Sequence, residues 1–348
     1  MGRSIEATNN SMRTNNTERM PAAKWAELPV RKVLASMKTL SPDQNACVAG
    51  PMTPASKAPN AADSATDSTA AFGRPRDFTN GRFIYTAISP RARGLSVGVN
   101  MNPDKHCNFD CVYCEVNREV PSGELRLDVP VMLAELEQTL EIVTSGGLRE
   151  QDRYRYVPPE FLKLRHVALS GDGEPTICPN FGEAIEALVH FRAIGRWPFF
   201  KLVLITNGTF LDRPEVIEGL RLFTARDEVW AKLDAGTQQY MNRVNRGDAS
   251  LSLEKIQANI LSLAQRRPVV IQSLFPAIDG AAPPASEIDA YVQRIQEMKE
   301  AGGQIALVQI YSATRPTAHS ECGHLPLRTL SDIARRVREV TGLKAEVF

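Results

Sequence analysis

Six short apolar runs, each followed by a segment of helical periodicity, constrain this chain more than any other feature. The runs fall at 95–101 (LSVGVNM), 165–170 (RHVALS), 201–206 (KLVLIT), 228–233 (EVWAKL), 268–273 (PVVIQS) and 305–311 (IALVQIY). Helical spacing is clearest for Leu133, Leu136, Leu140 and Val143, for Ile288, Val292, Ile295 and Met298, and for Leu330, Ala334, Val337 and Val340. Strands alternating with helices build a parallel sheet, because each crossover returns to the same edge. The near-continuous apolar character of the strands predicts cover on both faces. The class is α/β, and periodicity alone leaves an open doubly wound sheet and a full or partial barrel both available. In either, functional loops gather at the C-terminal ends of the strands.

Residues 1–75 differ in kind. Ser, Thr, Asn, Ala and Pro dominate, as in TPASKAPNAADSATDSTAA at 53–71. Such a stretch buries too little apolar surface to offset chain entropy, which predicts a disordered N-terminal extension with at most a short helix within 24–39. Cys47 lies in it and reads as an incidental thiol. The globular part is placed at 82–348.

Bulk properties exclude several classes. A net charge of +1 gives no global signal for nucleic acid. No run approaches the ~20 apolar residues of a membrane span, and the start of the chain lacks an apolar signal core. The expected location is the cytoplasm, with no membrane partner.

The loop after the first strand carries Cys107, Cys111 and Cys114, spaced C-x3-C-x2-C. Three thiols crowded into eight residues favour metal over disulfide in such a chain. Soft thiolates at this spacing hold zinc or an iron–sulfur cluster. Carrier clusters use four cysteines. With three, one iron of a cubane keeps an open position. A zinc site or a four-ligand carrier would need Cys178 or Cys322 as well, and His106 adjoins a ligand too closely to serve.

Other polar positions fall at strand ends. Ser170-Gly171-Asp172-Gly173-Glu174-Pro175-Thr176 follows the second strand, and its glycines admit close backbone approach to a ligand. Asn207 follows the third. Lys232 and Asp234 share a face of the fourth, where charge is costly unless paired or functional. Gln272, Gln309 and Tyr311 interrupt the last two runs. Arg315 and the run Asn242, Arg243, Asn245 and Arg246 read as either anion contacts or a solvated face.

With Tyr113 before Cys114, the triad resembles the signature of the radical S-adenosylmethionine (radical SAM) enzymes. The segments SGDGEPT, ITNGTFL, AKLDAG and VQIYSATRPTA extend the likeness over 82–348. Together they resemble the branch of iron–sulfur oxidoreductases related to the tRNA wyosine-base synthesis enzymes. The resemblance implies a partial (β/α)6 TIM-like barrel. It implies a 4Fe–4S cluster on Cys107, Cys111 and Cys114, with S-adenosyl-L-methionine chelating the fourth iron. It also implies Tyr113 beside the adenine, and Gly171, Asp172, Gly173 and Glu174 at the methionine amino group. There Asp172 departs from the family's glycine, so the backbone is the expected contact.

Asn207 is a candidate for ribose or carboxylate, and Lys232 and Asp234 are candidates for later proton handling. A flavodoxin or ferredoxin-type electron donor is implied. The substrate is open: an RNA base is possible, and a peptide or protein less favoured because only Cys322 lies in the C-terminal region. The competing reading is a non-catalytic iron–sulfur or zinc protein, a sensor or electron carrier.

Overall fold

The structure, a computed structural model, describes residues 81–118, 126–315, 317 and 319–348. The expectations for the tail, for a helix in 24–39 and for Cys47 lie outside them. An eight-stranded sheet organises the described residues, in the order β1-β2-β3-β4-β5-β6-β8-β10. The six expected strands are present: β2 (Gly94–Asn100), β3 (Leu164–Ser170), β4 (Lys201–Thr206), β5 (Glu228–Lys232), β6 (Val269–Leu274) and β8 (Ile305–Tyr311). All six run parallel.

Two strands extend this set. An antiparallel β1 (Ile84–Ser89) precedes β2, and a parallel β10 (Ala345–Val347) follows β8 at the other edge. The two-residue strands β7 (Ala277–Ile278) and β9 (Cys322–Gly323) form a separate antiparallel pair.

Among the described residues, seven α-helices connect the strands. They are α1 (Val129–Ser145), α2 (Phe181–Ala193), α3 (Pro214–Arg221), α4 (Gln238–Val244), α5 (Leu253–Ala264), α6 (Ala285–Glu300) and α7 (Leu327–Thr341). Local chemistry sets their ends. Asp128 caps α1 by accepting from Val131 N at 3.2 Å, and Gly146 ends it at φ 82°. Thr237 and Ser252 cap α4 and α5 in the same way.

One part of the α7 periodicity fails. Val340 is exposed and Thr341 is buried in its stead. Its hydroxyl donates to Val337 O at 2.6 Å, which lets a polar side chain take an interior position.

The two faces of the sheet differ in chemistry. Val97, Val99, Val167, Leu169, Leu202, Leu204, Val229, Ile271, Val308 and Ile310 join the core beneath the helices. The alternate residues turn the other way and are buried as well, so both faces are covered as expected, but this one mixes polar with apolar side chains. Ser96 bonds His166 at 2.8 Å, the Tyr85 hydroxyl bonds Ser170 at 2.6 Å, and Gln272 donates to Gln309 at 3.0 Å. Val203, Trp230 and Val270, with Ala92, Ile205 and Leu307 against them, form a small apolar floor on that side.

The sheet curls around this mixed face. Arg93, in the turn after β1, pairs with Glu346 of β10 at 2.7 Å. Arg91 of the same turn stacks 4.0 Å over the Tyr311 ring of β8. Contacts from one edge of the sheet to the other make the architecture a curled half-barrel.

Candidate functional site

The loop after β2 is held to the barrel rim by apolar anchors. Phe109 and Val112 are buried in the core, so the thiols on either side of them sit at its surface. Backbone bonds join the loop to the end of α4, from Asp110 N to Asn245 O at 3.1 Å and from Val112 N to Val244 O at 2.8 Å.

The Gly171–Glu174 turn packs directly on this loop. An ideal Cβ on Gly173 would fall 1.8 Å from His106 O, and one on Gly171 would fall 2.2 Å from Asn100 Oδ1. Gly171 also holds φ 130°, a region side chains avoid. Asn100 fastens the turn further, accepting from Asp172 N at 2.9 Å and donating to the Asp172 carboxylate at 2.8 Å. Glu174 N donates to His106 O at 3.2 Å.

The Glu174 side chain faces inward. It accepts from Thr176 N (3.1 Å), Thr176 Oγ1 (2.6 Å), Thr206 Oγ1 (2.6 Å) and Asn207 N (2.7 Å). Burial pushes its pKa up, and these four donors oppose that push. Glu174 thereby ties the ends of β3 and β4 together. Asn207 in turn donates to Asn108 Oδ1 at 2.8 Å, inside the cysteine loop.

A second polar cluster forms under Tyr113. Its hydroxyl donates to Asp234. Asp234 also accepts from Asn245 Nδ2 (2.9 Å) and Leu274 N (2.8 Å), and it pairs with Lys232 at 3.1 Å. Lys232 reaches Tyr311 Oη at 3.1 Å and lies 4.8 Å and 5.3 Å over the rings of Tyr113 and Tyr311. Burial works to discharge Lys232, but the Asp234 carboxylate outweighs it and raises the pKa. A cavity of ≈ 10 Å³, room for about one water, opens beside Asn207, Lys232, Asp234 and Asn245.

Each thiol has a nitrogen donor. Phe109 N serves Cys107, Asn245 Nδ2 lies 3.4 Å from Cys111 Sγ, and Arg118 Nη1 lies 3.2 Å from Cys114 Sγ. Burial raises Cys107 to about 11 and Cys111 to about 12. Both are thus neutral thiols at pH 7 until a metal displaces their protons.

The donor set suits a cluster better than a single ion. Sulfurs on one tetrahedral zinc would stand about 3.8 Å apart. Among the described residues, no three His, Cys, Asp or Glu side chains are grouped as ligands of one ion. In a cubane each thiolate would bind its own iron, so three thiols on one loop suit such a group. Cys178, buried and bonded to Asn180, and Cys322, on β9, lie on other elements.

The structure therefore brings Cys107, Cys111, Cys114, Tyr113, Gly171, Asp172, Gly173, Glu174, Asn207, Lys232 and Asp234 to one rim. Arg118 and Asn245 were not among the sequence candidates for the cysteine site. Asn245 stood in a polar run, and its 3 % exposure among charged neighbours is a property of the fold alone. Arg315 pairs with Glu115 at 3.0 Å, one residue past the triad.

Residues 101–258 match the model of the Radical SAM superfamily. It is similar to proteins described as UPF0026. One from Synechocystis is 30 % identical over 185 residues, 52 % of this chain and 59 % of that protein. One from Helicobacter pylori is 26 % identical over 185 residues, 52 % of each. The chain thus spans little more than half the length of these curated relatives. A radical SAM methyltransferase from Sphaerobacter thermophilus shares the fold, with a TM-score of 0.54 and 16 % identity, covering 76 % of this chain and 68 % of that one. Among the described residues no helix is long and apolar enough to cross a membrane.

Proposed function

We propose that the chain is a radical SAM enzyme whose cluster is held by Cys107, Cys111 and Cys114. The observation that carries the reading is the three-thiol loop, with no fourth ligand grouped on it among the described residues, packed under a turn that excludes a side chain at Gly173. A 4Fe–4S cluster with S-adenosyl-L-methionine on its open iron supplies reductive cleavage of the carbon–sulfur bond to methionine and a 5′-deoxyadenosyl radical.

The chain's own residues position, bind and shield. Phe109 and Val112 fix the loop, and Asn100, with its double bond to Asp172, fixes the turn beside it. Backbone groups of Gly171 to Gly173 are the contacts offered to a ligand's ammonium group. The Glu174 carboxylate, engaged by four internal donors, holds the turn's shape. Tyr113, oriented by Asp234 and Asn245, presents its ring toward Lys232 and provides a flat apolar surface suited to a base. Lys232 remains protonated and offers a cation to substrate at the rim. The curled sheet and its floor of Val203, Trp230 and Val270 exclude water from below.

Electrons come from a flavodoxin or ferredoxin-type donor. The likeness of the sequence to the wyosine-base enzymes makes a tRNA base the first substrate to try. The test is anaerobic reconstitution of the full chain and of C107A, C111A and C114A. About four irons and dithionite-dependent 5′-deoxyadenosine are expected in the parent, with loss of the product in each variant. Retained product in all three variants would refute the assignment.

A further inference from the structure

We propose that Arg118 is a positioning residue that raises the reduction potential of the metal centre through its contact with Cys114. This inference rests on the cluster reading above. Of the four donors to the thiols among the described residues, only Arg118 is charged; Phe109 contributes a backbone amide, Asn245 a neutral amide and Tyr113 a hydroxyl. The guanidinium is fixed in place. Besides Cys114 at 3.2 Å, it reaches Lys105 O at 3.3 Å and Asp172 O at 3.5 Å, so it bridges the cysteine loop and the glycine turn. Its side chain is 28 % exposed, so water screens it only in part, and the Asp110 carboxylate at 4.0 Å is more exposed, at 56 %. Its charge is also felt at Cys107.

Reduction adds one electron and one negative charge to a thiolate-ligated cluster, and no bond forms or breaks. A cation and an N–H···S bond at one ligand stabilise the more negative state and make the centre easier to reduce. Asn245 acts in the same sense at Cys111, but it also braces Asp234 and Tyr113, so Arg118 is the cleaner site to alter.

The experiment is an EPR-monitored redox titration of the reconstituted full chain, its R118Q variant and its R118K variant, with iron counted in each. The expected result is a full cluster in all three. The R118Q midpoint should fall by at least tenfold in the reduction equilibrium, which is 59 mV for one electron. R118K, which keeps the charge, should lie nearer the parent. An R118Q midpoint equal to the parent's, with iron unchanged, overturns the inference and leaves the cluster reading standing. Should R118Q hold no iron, pulsed EPR of the reduced parent labelled with 15N-arginine decides. Nitrogen coupling to the cluster supports the contact, and its absence overturns it. A parent that takes up no 4Fe–4S cluster overturns the cluster reading itself.

Discussion

The backbone oxygen of His106 occupies the space that a β-carbon on residue 173 would need, 1.8 Å from the ideal position. The cysteine loop and the glycine turn are therefore one packed unit. A backbone atom cannot swing aside as a flexible side chain does. G173A should cost more than the roughly 1–3 kcal/mol of ordinary overpacking. It should also displace Cys107 and lower iron uptake. Urea unfolding and iron content after reconstitution check both; full iron with unchanged stability would show that the loop yields freely.

Asp234 joins three separate parts of the rim: Tyr113 of the cysteine loop, Asn245 beyond α4 and Leu274 N of β6. It also neutralises Lys232, whose side chain is only 16 % exposed. Breaking a buried pair on one side leaves an uncompensated charge, so D234A should destabilise the fold by about 3–5 kcal/mol. A shift in the urea midpoint at constant slope reads this; a change under about 1 kcal/mol would contradict the clamp role.

Glu174 meets four donors with two oxygens. E174Q turns one oxygen into an NH2 group that faces another donor, whichever way the amide is placed. One buried group is left unpaired, at about 1–3 kcal/mol. Thermal or urea unfolding of the apo-protein measures it directly. If Glu174 instead served only a ligand, apo-protein stability would not move.

The six central strands were legible as short, nearly continuous apolar runs between helical segments. The inner face was harder to read, since its meaning depends on which strands are neighbours. Ser96, His166, Gln272 and Gln309 are polar interruptions in the sequence and become partners only when β2 pairs with β3 and β6 with β8. β1 and β10 were missed for different reasons. β1 is an antiparallel edge strand joined to β2 by a short turn, outside the βα rhythm. β10 has three residues and owes its place to pairing with β8. At the site, the thiol spacing announced itself. The donors did not: Arg118 and Asn245 are 4 and 134 residues from the sulfurs they serve, and no local pattern marks them.

His166 makes stability depend on pH. Burial, with Lys201 and Arg91 nearby, pushes it down from 6.5 to about 3. Between those values the unfolded chain binds a proton that the folded protein refuses. Stability therefore rises with pH across this window and is lost on acidification, at up to about 1.4 kcal/mol per pH unit from this group. Unfolding midpoints from pH 7 to 4 should show a shallower slope for H166F than for the parent; equal slopes would assign the acid sensitivity elsewhere.

The central claim is most directly tested by adding S-adenosyl-L-methionine to the reconstituted, dithionite-reduced protein while recording its EPR spectrum. The account predicts an altered cluster signal on addition, followed by methionine and 5′-deoxyadenosine in equal amounts. A cluster signal that S-adenosyl-L-methionine leaves unchanged, with no 5′-deoxyadenosine formed, would contradict it.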